Sequence, residues 1–372
     1  MAGPGSTRND RAEREQVSSQ WRLIRIRFLR HKVAVAALVL LGIFYLGVLF
    51  AEFVAPYDPR QRSPEQQYSP PQRIRVFHEG RLTAPFVYGL SSELDLETFR
   101  YVYEVNGDAR QPLALFVRGD PYELWGLFPS DLHLFGVADG GRAYLFGTDN
   151  LGRDLMSRVI HGGRISLSIG LVGIAISFLL GIVLGGISGY FGGTVDVAIQ
   201  RLVEFLRSIP DLPLWMALSV ALPRYWSTER VYFGIVMILS LVGWTSIARV
   251  VRGKFMAVRE EEFVTAAVVS GAGTGRILFR HLLPSFASYM IASLTLSVPG
   301  MILGETALSF IGLGLQTPAI SWGVLLQESQ RIHVLAGSPW LLIPGGFVIV
   351  TVLAFNFLGD GLRDAADPYT ST

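Results

Sequence analysis

No cysteine occurs among the 372 residues. Disulfides, cysteine-ligated zinc and thiol nucleophiles are therefore excluded, and any part outside the cell must be held by packing and hydrogen bonds. Charge is also scarce. Asp, Glu, Lys and Arg make up 17% of the chain, against about a quarter in a typical soluble domain. A net charge of +2 leaves no polycationic footprint for nucleic acid. The phosphate-cradling pattern G-x-x-x-x-G-K-[ST] is missing, since the one Gly-Lys pair, Gly253-Lys254, is followed by Phe255. The histidines (His31, His78, His133, His161, His281 and His333) form no H-E-x-x-H, and no G-x-S-x-G elbow is present. The sequence thus presents no catalytic residue, no metal-ligand set and no cofactor motif.

What is abundant is apolar. Half of the chain is hydrophobic, mean hydropathy is +0.40, and there are 40 glycines, a residue that lets membrane helices approach closely. About 20 apolar residues are needed to cross the hydrocarbon core. The first such run, Val33 to Ala51, follows Arg22, Arg25, Arg27, Arg30 and Lys32. It exceeds the apolar region of a signal peptide, so it reads as an uncleaved first span. The second lies within the uncharged stretch Ile165 to Val195, ending near Gly189, and Gly181, Gly185 and Gly189 share one helix face for close packing. The third is less regular: Asp196 to Arg207 is amphipathic, and Ser208 to Leu222 is short and broken by Pro210, Asp211 and Pro213. Together they read as one kinked crossing, since a membrane helix tolerates proline where neighbours satisfy the freed groups. Span four runs from Val231 to about Ala248, span five from Ser285 through Pro299 to Phe310, and span six from Leu341 to Leu358.

Six crossings put both termini on one side. The first 32 residues hold eight Lys and Arg, and the loop after span four holds Arg249, Arg252, Lys254, Arg259, Arg276 and Arg280, whereas the short loops opposite hold Arg224, Arg230 and Arg331. The positive-inside rule makes both termini cytoplasmic. Residues 55–164 are too long for a plain connection. Arg73 to Phe77 alternates in polarity. Phe99 to Val105 and Leu113 to Val117 flank Asn106-Gly107, and Leu132 to Val137 and Arg142 to Phe146 flank Ala138-Asp139-Gly140-Gly141. These pairs predict hairpins in a small external β-rich subdomain, either a docking surface or a rigid cap.

The loop Val251 to Ser285 reads VRGKFMAVREEEFVTAAVVSGAGTGRILFRHLLPS. Glu260, Glu261 and Glu262 are expected in the first turn of a helix, where the dipole favours negative charge. Phe263 to Ser270 suits the helix, and Gly271 and Gly273 its end. So short an exposed helix is not stable by propensity alone. It is either an ordinary interfacial helix or one that a partner protein covers.

The pattern Thr265-Ala266-Ala267, Gly271, Leu283-Pro284 resembles the EAA loop of binding-protein-dependent ABC importer permeases, with Thr265 where the motif usually begins with glutamate and His281 where an apolar residue is usual. Three further stretches, FGTDNLGRDLMSRVIHGGRISL (Phe146 to Leu167), LGETALSFIGLGLQTPAISWG (Leu303 to Gly323) and GDGLRDAADP (Gly359 to Pro368), resemble the C-type permease subunit of oligopeptide and dipeptide importers. The resemblance covers roughly residues 20–60 and 145–368. It implies a type I importer in the bacterial cytoplasmic (inner) membrane. This chain would pair with a homologous second permease. Two cytoplasmic ATPase subunits, which hold the ATP and magnesium, would bind below, and an extracytoplasmic binding protein would deliver the substrate. The coupling loop would be formed by Glu262, Thr265, Ala266, Ala267, Gly271, Leu283 and Pro284. Relatives of this type carry peptides, and others carry nickel or sugars.

The fold expected is an all-α polytopic membrane protein of six spans with a β-rich insertion: a tail over 1–32, a first span over 33–54, the insertion over 55–164, a core over 165–358 containing the coupling loop 251–285, and a tail over 359–372. A self-contained secondary transporter would need buried carboxylates near mid-span and internal repeats. The carboxylates within or beside the spans are Glu204, Asp211 and Glu305, without an evident partner. Glu305 and Ser309 are candidates for the translocation path. The position of Glu305 near the end of span five favours instead the outer membrane surface, where a carboxylate is cheap to keep.

Overall fold

The computed structural model describes residues 22–366 apart from 79, 98, 99, 139 and 224. The arginines of the first 21 residues, Phe99, Asp139, Arg224 and the Asp367-Pro368 end of the third motif lie outside the described residues. A helix over 22–30 (α1) leads into α2 (Lys32–Leu49), where the His31 ring accepts from the Ala34 N–H at 3.1 Å and caps the start. Only Ala34, Ala37 and Leu41 of α2 are buried. The helix therefore packs along one narrow stripe and leaves Val39, Ile43 and Leu46 more than half exposed, as a helix facing lipid should. A short turn, α3 (Ala51–Val54), follows.

The next long helix, α4 (Leu155–Phe191), starts well before the boundary at 165 that hydropathy suggested. Asp154 accepts from the Ser157 N–H at 2.7 Å, and this cap sets the start. Its 37 residues make it about 55 Å long, so the first turns stand outside the hydrocarbon and carry Arg158, His161 and Arg164. Arg164 reaches back to the last carbonyls of α2, Val48 at 2.7 Å and Leu49 at 3.0 Å, and pairs with Glu52. Groups that a helix end leaves without partners are thereby satisfied.

The third crossing differs from the single kinked helix expected. It is two helices, α5 (Gly193–Ser208) and α6 (Asp211–Val220), parted by extended backbone at Ile209 and Pro210. Proline lacks the N–H that a continuing helix needs and pushes its predecessor out of the helical region. Among the described residues, five helical stretches are long and apolar enough to span: α2, α4, α7 (Thr228–Val258), Ala287–Ile311 and Pro339–Ala366. The α5–α6 pair nevertheless makes the return journey. Gly173 lies against Ser240, Gly181 against Ile247 and Gly189 against Arg252, so α4 and α7 run parallel. The chain must cross back between them. It does so with Val203 packed on Trp244 and Ala248 and Leu222 beside Gly234, antiparallel to α7.

After α7 come α8 (Glu262–Val269), α9 (Thr274–Arg276), a π-helical turn (Ile277–Leu282) and α10 (Leu283–Ser285). Then follows α11 (Ala287–Ile311), which carries Pro299 buried in its interior. Two short helices, α12 (Trp322–Gln327) and α13 (Ile332–Gly337), precede α14 (Ile343–Ala366). The last helix runs on to Ala366, through residues expected to form a tail. Gly361 abuts Ala34 and His31, and Phe347 stacks near Phe44 at 5.5 Å, so α2 and α14 are antiparallel. The start of α2 and the end of α14 therefore share one face of the bundle. Gly163 meets Val48 on the opposite face, and α4 and α7 both end back on the first. The loop carrying α8 is on the same face as the start of α2 and the end of α14.

The insertion is an antiparallel four-stranded sheet in the order β1 (Arg75–His78), β2 (Arg81–Asp95), β3 (Arg100–Leu124), β4 (Phe128–Val137). Asn106-Gly107 does not reverse the chain. It lies inside β3, where the register jumps from Tyr88↔Arg110 to Gly89↔Asn106. The extra residues bulge, with Asn106 Oδ1 accepting from the Asp108 N–H at 3.1 Å. The tight hairpin is at Trp125 and Gly126, both at positive φ (55° and 69°). Arg142 to Phe146 is not a strand. Its backbone is bonded by side chains, Ala143 N–H to the Tyr57 hydroxyl at 2.7 Å and Tyr144 N–H to Gln72 Oε1 at 2.6 Å.

The α4–α7 interface offers a direct test of the packing. A Cβ added at Gly181 would sit 2.6 Å from Ile247 Cγ2, one at Gly189 2.7 Å from the Arg252 carbonyl oxygen, and one at Gly185 against the Ala248 carbonyl. Gly185→Val should lower stability by about 1–3 kcal/mol, read as a lower unfolding temperature in detergent. Gly253→Val, whose Cβ meets nothing within 4 Å, is the control. Equal melting of the two variants would show that the backbones are not in contact.

Candidate functional site

Two regions gather the residues singled out from the sequence. The first is the loop that carries α8. Only Glu262 lies in the first turn of α8. Glu260 precedes the helix and Glu261 is its N-cap, whose carbonyl accepts from Val264 at 3.0 Å and Thr265 at 3.1 Å. The helix stops where glycine was expected to stop it. Gly271 takes φ +76°, its N–H bonds to Val268 O at 2.9 Å, and the Ala272 N–H bonds back to Ala267 O at 3.0 Å. Those two bonds are the Schellman pair, which satisfies the last carbonyls of a helix. Gly273 contributes no such bond among those described.

The helix is held by little. Val264 is 2% exposed and joins the core with Ile277 and Leu282, and Ala267 packs against the same cluster. On the outer side Thr265 and Ala266 are exposed, and Phe263, Val268 and Val269 are 45%, 52% and 82% exposed. Leu283 is half-buried and Pro284 exposed on α10, beside the π-helical turn. The loop is anchored from above by a brace not foreseen from sequence. Arg252 of α7 forks onto Asp196 of α5, with both nitrogen–oxygen distances 2.5 Å, and the Ser188 hydroxyl of α4 donates to the same carboxylate. The one available sequence signal was an acid opening the amphipathic segment and an arginine at the start of the loop.

The second region is formed by two of the family-like motifs. In the stretch 146–155, Asp149 accepts from the backbone N–H groups of Leu151 (2.9 Å) and Arg153 (3.0 Å) and from the side chains of Arg153 and Arg158. Gly152 sits at φ +69° against the Ser63 carbonyl, where no side chain fits. In the stretch 303–323, Glu305 is wholly buried within the protein and has no exposed surface. Its carboxylate accepts from Ser321 at 2.7 Å, Ser309 at 2.9 Å and Ser166 at 3.2 Å. Ser166 in turn accepts from the Trp322 N–H, and Ser309 from the Leu315 N–H. Glu305 and Ser309 are thus brought together, both with no exposed surface. They tie α4, α11 and the α12 approach into one knot, because a carboxylate kept from water requires hydrogen-bond donors. Hydropathy located Glu305 by its distance along the span. Ser309 is one turn along the same helix, as helical spacing implies, but Ser166 comes from α4 and Ser321 from the α12 approach, which no linear distance reveals.

Removing the knot's acceptor should be costly. Glu305→Ala leaves three hydroxyls and a cavity, and should destabilise by about 2–5 kcal/mol, seen as a lower unfolding temperature, with Glu305→Gln milder. An Ala variant melting like the parent would refute the assignment. Asp154 offers a pH test. Burial, opposed by the bonds from Ser157, pushes its carboxyl up from 3.8 to about 6. The fold therefore holds a proton that the unfolded chain has lost, so this group's contribution worsens as pH rises from about 4 through about 6 and is flat above. Asp154→Asn should melt progressively higher than the parent across that window, and parallel curves would show an ordinary carboxyl.

With this geometry in hand, the comparisons are specific. Residues 181–372 match the binding-protein-dependent transport system inner membrane component family. Residues 19–71 match the N-terminal transmembrane domain of oligopeptide transport permease C. The chain is 39% identical over 224 residues to the oligopeptide transport system permease protein OppC of Bacillus subtilis, covering 60% of this chain and 71% of that one. It is 42% identical over 242 residues to OppC of Haemophilus influenzae, covering 64% and 75%. Among solved structures it is similar to an inward-facing form of the MetNI methionine ABC transporter, at TM-score 0.45 and 16% identity over 57% of this chain and 98% of that one, a likeness too distant to bear on mechanism. With a family match over more than half of its length and multiple spanning helices, this chain belongs to the inner membrane components of binding-protein-dependent transport systems.

Proposed function

We propose that this chain forms half of a translocation path for peptides delivered by an extracytoplasmic binding protein. In this reading it pairs with a homologous permease, and ATP with its magnesium is hydrolysed on two separate cytoplasmic subunits. Its relatives named as oligopeptide and dipeptide permeases support the peptide assignment. The arginines of α1 and those of the loop after α7 lie at one face of the bundle, which supports cytoplasmic termini by the positive-inside rule.

The observation that carries the coupling assignment is α8. Eight residues of helix in water are not stable alone, yet α8 keeps a sharp glycine stop and presents Phe263, Val268 and Val269 to solvent. Such a face is completed by a groove on another protein, read through apolar anchors on successive turns. Ala266 is small enough to let that groove close on the backbone. The reciprocal requirement is that closure of the ATPase pair favours one arrangement of the spans over another, because a ligand shifts an equilibrium only by its differential affinity. Motion at α8 is passed to the bundle through Val264 and the π-helical turn, while Asp196–Arg252 keeps α5 and α7 together.

Gly271 is the test position. Its surroundings are open, with nothing within 4 Å of an added Cβ, but its φ of +76° disfavours any side chain. Gly271→Val should leave insertion and folding intact, displace the end of α8, and lower substrate-stimulated transport at least tenfold, a loss of about 1.4 kcal/mol of coupling. ATPase activity and peptide uptake are measured in proteoliposomes holding the full complex. Normal uptake by this variant would sink the coupling role.

A further inference from the structure

The β3–β4 hairpin of the insertion ends in Trp125, Gly126, Leu127 and Phe128. Hairpin tips are usually polar, and this one is not. Leu127 is 72% exposed, Phe128 59% and Trp125 46%, and Leu115 and Phe116 further along β3 are 70% and 60% exposed. The tip is fixed at a particular depth. The Trp125 indole N–H donates to the carbonyl of Leu49, the last residue of α2, at 2.8 Å, and the Trp125 and Phe116 rings lie beside Phe50 and Phe53 at 5.4 and 6.3 Å. Leu46 and Leu49 on the adjoining turns of α2 are 59% and 49% exposed. The apolar face of the span therefore continues without a break onto the hairpin.

We propose that the β3–β4 tip is seated in the outer leaflet of the bilayer, with Leu127 and Phe128 in the acyl boundary and Trp125 at the headgroup level. Tryptophan belongs there because its ring is apolar and its N–H polar. Continuity with the lipid-facing side of α2 identifies the occupant. The exposed side of that helix must face hydrocarbon up to its last turn, and Trp125 is bonded to that turn. Glu123, exposed on the same hairpin, keeps the tip at the interface and out of the hydrocarbon. An exposed apolar patch of this kind in water would otherwise be an aggregation liability. The inference rests on the spans of α2 and its orientation, not on the nature of the substrate or on the α8 assignment.

The absence of cysteine makes the test clean. Leu127→Cys, Phe128→Cys and, as a water-exposed reference in the β2–β3 half of the sheet, Asp108→Cys are each labelled with a nitroxide in the full complex reconstituted in phospholipid nanodiscs. Accessibility to oxygen, which partitions into lipid, is compared with accessibility to a water-soluble nickel chelate. The expected result is an oxygen-to-nickel ratio severalfold higher at 127 and 128 than at 108. Equal ratios at all three would place the tip in water and overturn the proposal. Protection of 127 and 128 from both reagents would overturn it in favour of a protein cover, such as the second permease or a binding protein.

Discussion

Helices surrounded by lipid gain nothing from hiding apolar surface from one another, so what holds this bundle together is close backbone contact, above all between α4 and α7. Gly181, Gly185 and Gly189 lie along Ile247, Ala248 and Arg252 with no space for a Cβ. Contact at that range gains dispersion over many atoms. It also makes the two helices parallel, which forces α5 and α6 to carry the chain back across. Topology here follows from a stripe of glycines.

Onto that contact are added polar fastenings, each placed where an irregular segment must be fixed. Glu305 gathers Ser166, Ser309 and Ser321 where α11 gives way to the α12 approach. Asp149 gathers Arg153, Arg158 and two backbone N–H groups at the entry to α4. Asp196 holds Arg252 where α5 and α7 meet above the loop. A buried carboxylate is tolerable only with donors around it, so each of these knots also specifies which segments can be neighbours. The loop beyond the last of them is different in kind. It is anchored by Val264 and Ala267 and otherwise open, as a surface waiting for another protein should be.

The insertion repeats the contrast. Its base is tied to the bundle by the Tyr57 N–H, which donates to the Ser157 hydroxyl, and by the Tyr68 hydroxyl, which donates to Glu328, whereas its hairpin tip carries apolar side chains outward beside the end of α2. Depth in the membrane, more than contact with the rest of the protein, accounts for that choice of residues.

The elements readable from the sequence are those governed by local rules. Long uncharged runs such as Ile165 to Gly189 can only be buried in lipid or core, and Gly271 after Phe263 to Ser270 is a helix stop, because only glycine takes the left-handed conformation without penalty. Motif resemblance then named the family that the comparisons show. The start of α4 at Leu155 lies ahead of the uncharged run, so hydropathy hid it, and the cap at Asp154 shows itself in the bond from the Ser157 N–H. What remained for tertiary structure to decide depends on partners distant in the chain. Asn106-Gly107 has the composition of a turn, yet pairing with β2 absorbs it as a bulge. Pro210 could bend a helix or end it, and in the fold the helix ends there. Glu305 could be set at a surface by its place along the span, but besides Ser309, one turn away on α11, its carboxylate meets Ser166 and Ser321, and only folding brings those two to it. Composition and period determine whether a segment must leave water; which groups meet it there is a property of the assembled bundle.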